Sequence, residues 1–172
     1  MVEEQRSVFK GLVAGLIGGL IGTIVMNDFQ NLWSTVSQKL ENSDGRQSQR
    51  GQEESESPTM TAAAKIARLG GRELTHEEKK KLGPVVHYSF GTLQGAVYGG
   101  TAELAGTPGG FLPGVLFGAA LFAAADELAL PQLGLTGKPS EMPASSHVYG
   151  LAAHLVYGLS TEIARRGLRA AL

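Results

Sequence analysis

Two stretches of the sequence share a glycine spacing that ends in polar side chains. In each stretch three glycines recur at every fourth position, and two polar residues follow the third glycine after seven others. The glycines are Gly11, Gly15 and Gly19 in the first stretch and Gly110, Gly114 and Gly118 in the second. The polar residues are Asn27 and Asp28, then Asp126 and Glu127. Because small residues at this spacing let apolar helices approach closely, the pattern predicts two copies of one helical hairpin.

A second motif supports the same internal repeat. Gly91-x6-Tyr98-Gly99-x3-Glu103 matches Gly150-x6-Tyr157-Gly158-x3-Glu162. Gly95 completes another run of glycines at every fourth position, so we expect a glycine zipper against which Tyr98 and Tyr157 pack. The zipper can join helices within one chain or between two chains. A homodimer is therefore one of the arrangements that the sequence allows.

Charge is segregated along the chain. The sequence has 172 residues, of which 42% are hydrophobic, an average that also suits a soluble protein. Four segments nevertheless lack Asp, Glu, Lys and Arg, namely residues 11–27, 82–102, 104–125 and 142–161. Each is close to the roughly 20 residues that an α-helix needs to cross a bilayer. The sequence predicts an all-α polytopic membrane protein with helices near 10–31, 85–105, 109–130 and 145–165. A soluble bundle rich in Gly and Ala is the alternative.

The connection between the first two predicted membrane helices is polar. We expect residues 34–57 to be disordered, because they are rich in Ser, Gln, Glu and Gly. Residues 58–84 predict two short amphipathic helices on the membrane surface. Ser57-Pro58 is a start signal for a helix over Met60 to Leu69. Thr75-x-x-Glu78 is a capping box for a helix over His76 to Leu82, which Gly83-Pro84 is expected to end.

The first apolar segment, the basic residues and the overall charge bear on location. The first segment lacks a small-x-small cleavage site, so we expect it to be retained as a helix. The two longer loops hold ten of the fifteen Lys and Arg residues, a count that would place the loops inside. The Lys and Arg residues directly next to the first and last helices favour cytoplasmic termini instead, and we expect that orientation. The sequence has no cysteine, which excludes disulfides and thiolate ligands, and its net charge of -1 gives no reason to expect nucleic-acid binding. The expected partner is the lipid bilayer.

Antiparallel crossings bring polar residues from all four predicted helices to one membrane face. The candidates are Asn27, Asp28, His87, Tyr88, Asp126, Glu127, His147 and His154. His154 follows His147 by seven residues, about 10 Å along a helix, and so lies near the bilayer centre. A mid-span imidazole is expected to face the interior and find a partner there. The opposite face is expected to be plainer, with Glu103, Glu162 and the pair Arg165-Arg166.

The polar candidates leave three functions open. The first is a small membrane protein, without covalent catalysis, that binds, conducts or senses a small ion or proton. The second is a membrane-embedded metal-dependent enzyme, because histidine and carboxylate together suit Zn, Mn or Fe. Its ligands would be His87, His147, His154, Asp126 and Glu127, although the spacings H-x3-H and H-E-x-x-H are absent and the cofactor stays open. The third is a structural module whose glycine ridges assemble a larger complex.

The C-terminal part of the chain resembles a known membrane family. The runs from His154 to Tyr157 and from Ser160 to Arg169 resemble the end of the YagU-like bacterial inner-membrane proteins. Leu133 to Thr136 and the segment with His87, Tyr98 and Ala102-Glu103 are similar to the same family. The resemblance covers about residues 85–170 and implies a multi-pass protein of the bacterial inner membrane rather than a reaction. Family members continue with tryptophan where this chain has Tyr157-Gly158, so helix packing can differ there.

Overall fold

The computed structural model describes residues 7–43, 56–107 and 110–172, and within them every regular element is a helix. The all-α prediction is therefore confirmed. The elements are α1 (Val8–Ser43), α2 (Pro58–Leu69), α3 (His76–Ala105), α4 (Leu112–Leu121), a π-helical segment (Phe122–Ala129), α5 (Leu130–Gln132), a 3-10 turn (Pro139–Glu141) and α6 (Ala144–Ala171). The segment from α4 through α5 is one continuous helical rod.

Helix α1 is longer than the predicted membrane helix. It has 36 residues and spans about 54 Å at 1.5 Å per residue. Residues 34–43 are helical, so the prediction of disorder from residue 34 is wrong. The sequence has neither Gly nor Pro between Gly22 and Gly45. The hydroxyls of Ser34 and Thr35 also donate to the carbonyl of Asn31 within the helix, at 2.8 and 2.9 Å. The rest of the segment predicted to be disordered, residues 44–55, lies outside the described residues.

Two predicted helix starts are confirmed. The Ser57 hydroxyl accepts the N–H of Met60 at 3.3 Å, and Pro58 occupies the first turn of α2. Thr75 and Glu78 form the complete capping box at the start of α3. In that box the Thr75 hydroxyl accepts the N–H of Glu78, and the Glu78 carboxylate accepts the N–H of Thr75 at 2.8 Å. Local sequence alone therefore determines where both helices begin.

The predicted break at Gly83-Pro84 is wrong, because α3 continues through Pro84 to Ala105. A proline inside a helix loses one backbone hydrogen bond and costs about 3 kcal/mol. Packing offsets this cost, since Gly83 is buried against Met60 of α2 and a Cβ at Gly83 would lie 3.0 Å from the Met60 Cγ. The close fit of α2 on α3 thus coincides with a helix that continues past Gly83 without a break.

Glycines bring α1 and α3 into backbone contact. A Cβ at Gly99 would lie 2.1 Å from the carbonyl oxygen of Gly11, and one at Gly19 would lie 2.6 Å from that of Gly91. The two helices therefore run antiparallel. Gly95 sits between these contacts, and a Cβ there would lie 2.4 Å from the Cα of Gly19. Such contacts leave no room for any side chain, as expected for a glycine zipper.

The rod that begins with α4 packs on α6 in a similar way. A Cβ at Gly158 would lie 2.2 Å from the carbonyl oxygen of Gly114, and one at Gly118 would lie 2.2 Å from that of His154. Gly110 was predicted to pack between helices, but it does not. It lies before α4 at φ +126°, and a Cβ on it would meet nothing within 4 Å. Helix α1 also contacts α6, because a Cβ at Gly22 would lie 2.9 Å from the Tyr157 carbonyl.

Two of the helical segments are long and apolar enough to cross a membrane, Val8–Lys39 and Leu112–Gln132. Only 39% and 17% of their most apolar windows are buried inside the structure, so most of this surface faces outward. The other two predicted spans lie in α3 and α6, where Gly, Ser, His and Tyr replace many of the larger apolar residues. Length and composition thus support a membrane protein through two segments.

Candidate functional site

One cavity of about 300 Å³ lies beside the π-helical segment. Its walls come from α1, the start of α2, the π-helical segment, the loop before α6 and α6 itself. Four of the predicted polar residues line it, namely Asp126, Glu127, His147 and His154. Asp126 and Glu127 belong to the π-helical segment, whose wider turn directs two successive acids towards α6. π-Helical turns of this kind often occur at functional sites.

His147 bridges the π-helical segment and the loop before α6. Its Nδ1 lies 2.6 Å from Glu127 Oε1, and its Nε2 lies 3.1 Å from the carbonyl oxygen of Pro139. A carbonyl oxygen can only accept, so Nε2 donates. The contact between Nδ1 and the carboxylate also needs a proton. The His147–Glu127 pair therefore holds one proton more than a neutral imidazole beside a carboxylate.

His154 is buried, with 8% of its surface exposed, and its ring lies next to Asp126. Its Nδ1 lies 2.9 Å from the carbonyl oxygen of Gly150, one turn earlier in α6. Nδ1 must therefore donate, which leaves Nε2 of the neutral ring as an acceptor. Nε2 lies 3.8 Å from Asp126 Oδ1, another acceptor, and this distance is too long for a hydrogen bond. The structure thus places two acceptors opposite each other on the cavity wall.

Two further polar atoms near the site have no protein partner among the described residues. They are Nε2 of His87 and Oγ1 of Thr136, and both atoms are buried. Thr136 lines the cavity, whereas His87 lies on α3 close enough to His154 for the two imidazoles to interact electrostatically. Buried polar atoms normally have hydrogen-bond partners, so this end of the molecule has unused hydrogen-bonding capacity.

Four of the predicted residues lie outside the cavity wall, namely His87, described above, and Asn27, Asp28 and Tyr88. Asn27 is half-buried and Asp28 is exposed on α1, and neither belongs to the lining. Tyr88 is half-buried on α3, where its ring packs edge-on against that of His87 at 5.9 Å. Asp28 lies on the solvent-accessible side of α1 because the buried side is occupied by Thr23 and Met26, which pack inward.

The histidines and carboxylates do not converge as metal ligands usually do. Within the described parts of the chain, no three His, Asp or Glu side chains are close enough together to hold a metal ion. The two imidazole–carboxylate pairs are instead separate contacts, spaced along α6 by seven residues. The geometry gives no support to the metal-dependent enzyme among the open alternatives.

The opposite end of the molecule is not plain, contrary to the prediction. Glu162 has no exposed surface, and its carboxylate accepts two hydrogen bonds from Arg165, at 2.7 and 3.0 Å. The Tyr98 hydroxyl also donates to Glu162 Oε2 at 3.0 Å. Arg169 donates to Glu103 at 2.9 Å, and Arg165 lies 3.8 Å from the same carboxylate. Two acids and two arginines therefore form a neutral, buried ion cluster between α3 and α6.

The sequence does contain a signal for this cluster. Glu162, Arg165 and Arg169 are spaced by three and four residues, so they share one face of α6. Glu103 comes from the equivalent position of the other Tyr-Gly-x3-Glu motif. Tyr157, the second tyrosine of these motifs, donates to the Gly91 carbonyl at 2.6 Å and is nearly fully buried. Both tyrosines thus connect α6 and α3 instead of only filling space.

Comparison with known proteins found no relative of this chain. No protein-family model matches the chain, and neither the curated proteins nor the solved structures gave a match. The resemblance to the YagU-like proteins stays a prediction.

Proposed function

We propose that this chain is a multi-pass protein of the bacterial inner membrane whose cavity binds a proton or another small ion. The observation that carries the proposal is the pair of contacts His147–Glu127 and His154–Asp126 on the wall of one cavity. Imidazoles change charge between about pH 5 and pH 8, and neighbouring carboxylates tune that change. Ionisable groups placed inside a membrane helix bundle usually serve an ion or proton function.

The distribution of side chains supports four membrane-spanning helices, including α3 and α6. Their polar groups face inward, as Glu103, His154 and Glu162 are all buried. Their large apolar groups face outward, with Leu93 61% and Val148 62% exposed. This is the reverse of a soluble protein's arrangement, and a lipid bilayer as partner accounts for it. The basic residues next to α1 and α6 favour cytoplasmic termini.

The glycine contacts support two related hairpins, α1 with α3 and α4 with α6. Gly99 packs on Gly11 and Gly15, and the equivalent Gly158 packs on Gly114 and Gly118. In these contacts Gly114 takes the place that Gly11 has in the first hairpin. The spacing in the sequence alone pairs Gly11 with Gly110, one helical turn earlier. All of these glycines are used within one chain, so they do not favour the assembly-module alternative. Dimer formation stays a separate prediction.

Reconstitution into liposomes tests the proposal. We expect Asp126→Asn and His154→Leu each to change proton flux or its dependence on pH, measured between about pH 5 and pH 8. Glu73→Gln is the matched control, because the Glu73 side chain is 84% exposed and lies away from the cavity. Unchanged flux together with raised thermal stability in both site variants would show the polar pairs to be dispensable. Release of the protein by carbonate washing would contradict the membrane part.

A further inference from the structure

The cavity at the π-helical segment has an unbalanced charge. The proton shared by His147 and Glu127 leaves that pair neutral overall. His154 donates through Nδ1 to a backbone carbonyl, so in its neutral form it presents Nε2 to the cavity as an acceptor. Asp126 is the remaining carboxyl group on the wall, and it carries one negative charge when ionised. His87 of α3 interacts electrostatically with His154 but is not part of the lining. With His154 neutral and Asp126 ionised, the wall has a net charge of about -1, which favours one monovalent cation.

The acceptors are placed to receive more than one hydrogen bond from such a cation. Asp126 Oδ1 and His154 Nε2 face each other at 3.8 Å, and neither donates in the arrangement described above. The buried Oγ1 of Thr136 adds another acceptor without a protein partner among the described residues. A cation with several N–H groups can donate to more than one of these atoms at once.

Most of the remaining lining is apolar, although Gln30 and Ser146 also belong to it, and the cavity is larger than a bare ion needs. Met26, Phe122, Leu130 and Met142 line the cavity together with the ring of Tyr149. A volume of about 300 Å³ lies at the lower end of the range of roughly 300–1,000 Å³ that is typical of small-molecule pockets. Aromatic rings also attract organic cations by their negative faces. The cavity thus combines one negative charge, when Asp126 is ionised, with walls that suit a short hydrocarbon chain.

We propose that the ion bound in this cavity is a small organic monocation, such as a primary alkylammonium ion, with its nitrogen between Asp126 and His154. This inference rests on the proposed function and names the ligand class of the same site. The hydrocarbon part of the ligand lies against Phe122 and Met142. A proton competes with the ammonium group for the same two acceptors, so binding weakens as the pH falls.

The only tryptophan of the chain reports on the site. Trp33 lies 5.7 Å from Tyr149, ring centre to ring centre, and Tyr149 lines the cavity. The experiment follows Trp33 fluorescence of the purified full chain in detergent during titration with n-butylammonium. n-Butanol, of similar size and without charge, and Na⁺, charged and without a hydrocarbon chain, are titrated in parallel. We expect saturable binding of n-butylammonium and at least about tenfold weaker binding of the other two probes.

Variants decide which group binds the ligand. Asp126→Asn should weaken n-butylammonium binding by about tenfold to a hundredfold, because it removes a charge-assisted hydrogen bond. Glu73→Gln makes the same acid-to-amide change on the exposed surface and should leave binding as it is. Thr136→Val should weaken binding less than Asp126→Asn. Thr136→Val also supplies a second test if Asp126→Asn loses the helical circular dichroism of the parent chain.

The outcomes separate this inference from the proposed function. Equal binding of n-butanol and n-butylammonium, or equal binding by the parent chain and Asp126→Asn, overturns the inference. If n-butylammonium does not bind but Trp33 fluorescence titrates with pH and Asp126→Asn abolishes that titration, the site takes protons only. The proposed function then stands and the organic ligand does not. If neither probe nor pH changes the fluorescence and Asp126→Asn leaves proton flux unchanged, both proposals fail.

Discussion

Replacing Gly95 by alanine tests whether backbone contact between α1 and α3 holds the bundle together. The new Cβ would lie 2.4 Å from both the Gly15 carbonyl oxygen and the Gly19 Cα. Ordinary contact between such atoms needs about 3.5 Å, so the helices must separate by about 1 Å. Overpacking of this kind costs about 1–3 kcal/mol, whereas alanine gains only about 0.5–1 kcal/mol in helix propensity. We expect Gly95→Ala to lower the free energy of unfolding by about 1–2 kcal/mol.

The control for this prediction is Gly167→Ala in α6. A Cβ at Gly167 would meet nothing within 4 Å, so only the helix-propensity gain remains and stability should rise by about 0.5–1 kcal/mol. Gly91→Ala should fall between the two, because its Cβ would meet the Thr23 hydroxyl, a side chain that can rotate away. Unfolding by SDS, followed by circular dichroism in detergent, measures all three variants. The argument from backbone contact is refuted if Gly95→Ala is as stable as Gly167→Ala.

Three further predictions concern the ion cluster, the proline of α3 and the cap of α3. Arg165→Met should destabilise the folded chain by about 3–5 kcal/mol, because it leaves the Glu162 carboxylate buried without its cation. Adding Glu162→Gln to this variant should restore most of the lost stability in the same unfolding assay. Pro84→Ala should stabilise by about 1–3 kcal/mol by restoring a backbone hydrogen bond, and a loss of stability would contradict the cost assigned to this proline within an unbroken α3. Hydrogen bonds from the backbone N–H and the hydroxyl of Thr75 hold the pKa of Glu78 below its ordinary value. The cap therefore stabilises the folded chain fully at a pH above the ordinary Glu pKa. This contribution is lost as the pH falls through the lowered pKa of Glu78. Thr75→Ala should raise the Glu78 pKa in an NMR titration, and an unchanged pKa would contradict the role of the hydroxyl.

The parts of the fold that depend only on residues adjacent in the sequence could be predicted from it. Ser57 and Thr75 cap their helices because capping needs only residues within one turn. The course of α3 through Pro84 could not be predicted in this way. A proline inside a helix does cost free energy. Here the packing of Met60 on Gly83, a contact between two different helices, offsets that cost. Local signals fail where tertiary packing supplies the larger free energy.

The same distinction explains which parts of the polar sites could be predicted. His154 and Asp126 could be placed inside the bundle, because leaving either against lipid is costly. The ion cluster was missed because Glu103 and Arg169 meet only after α3 and α6 pack, and each alone reads as a charge at a membrane surface. The direction of Asp28 depends on which side of α1 faces the bundle, and that side is set by Thr23 and Met26.

The proposed repeat gives Asp126 a structural counterpart and hence a sharp test. In the register set by the glycine contacts, Asp126 corresponds to Thr23, and each lies against the glycine at the same place of its hairpin, Gly150 or Gly91. Thr23 donates its hydroxyl to the Gly19 carbonyl at 2.7 Å and needs no other partner there. A threonine at position 126 can do the same in its own helix, so Asp126→Thr should unfold within about 1 kcal/mol of the parent chain while losing cation binding. If the variant unfolds much more easily, Asp126 holds the hairpin together and is not the counterpart of Thr23, and Thr136→Val then carries the test of cation binding.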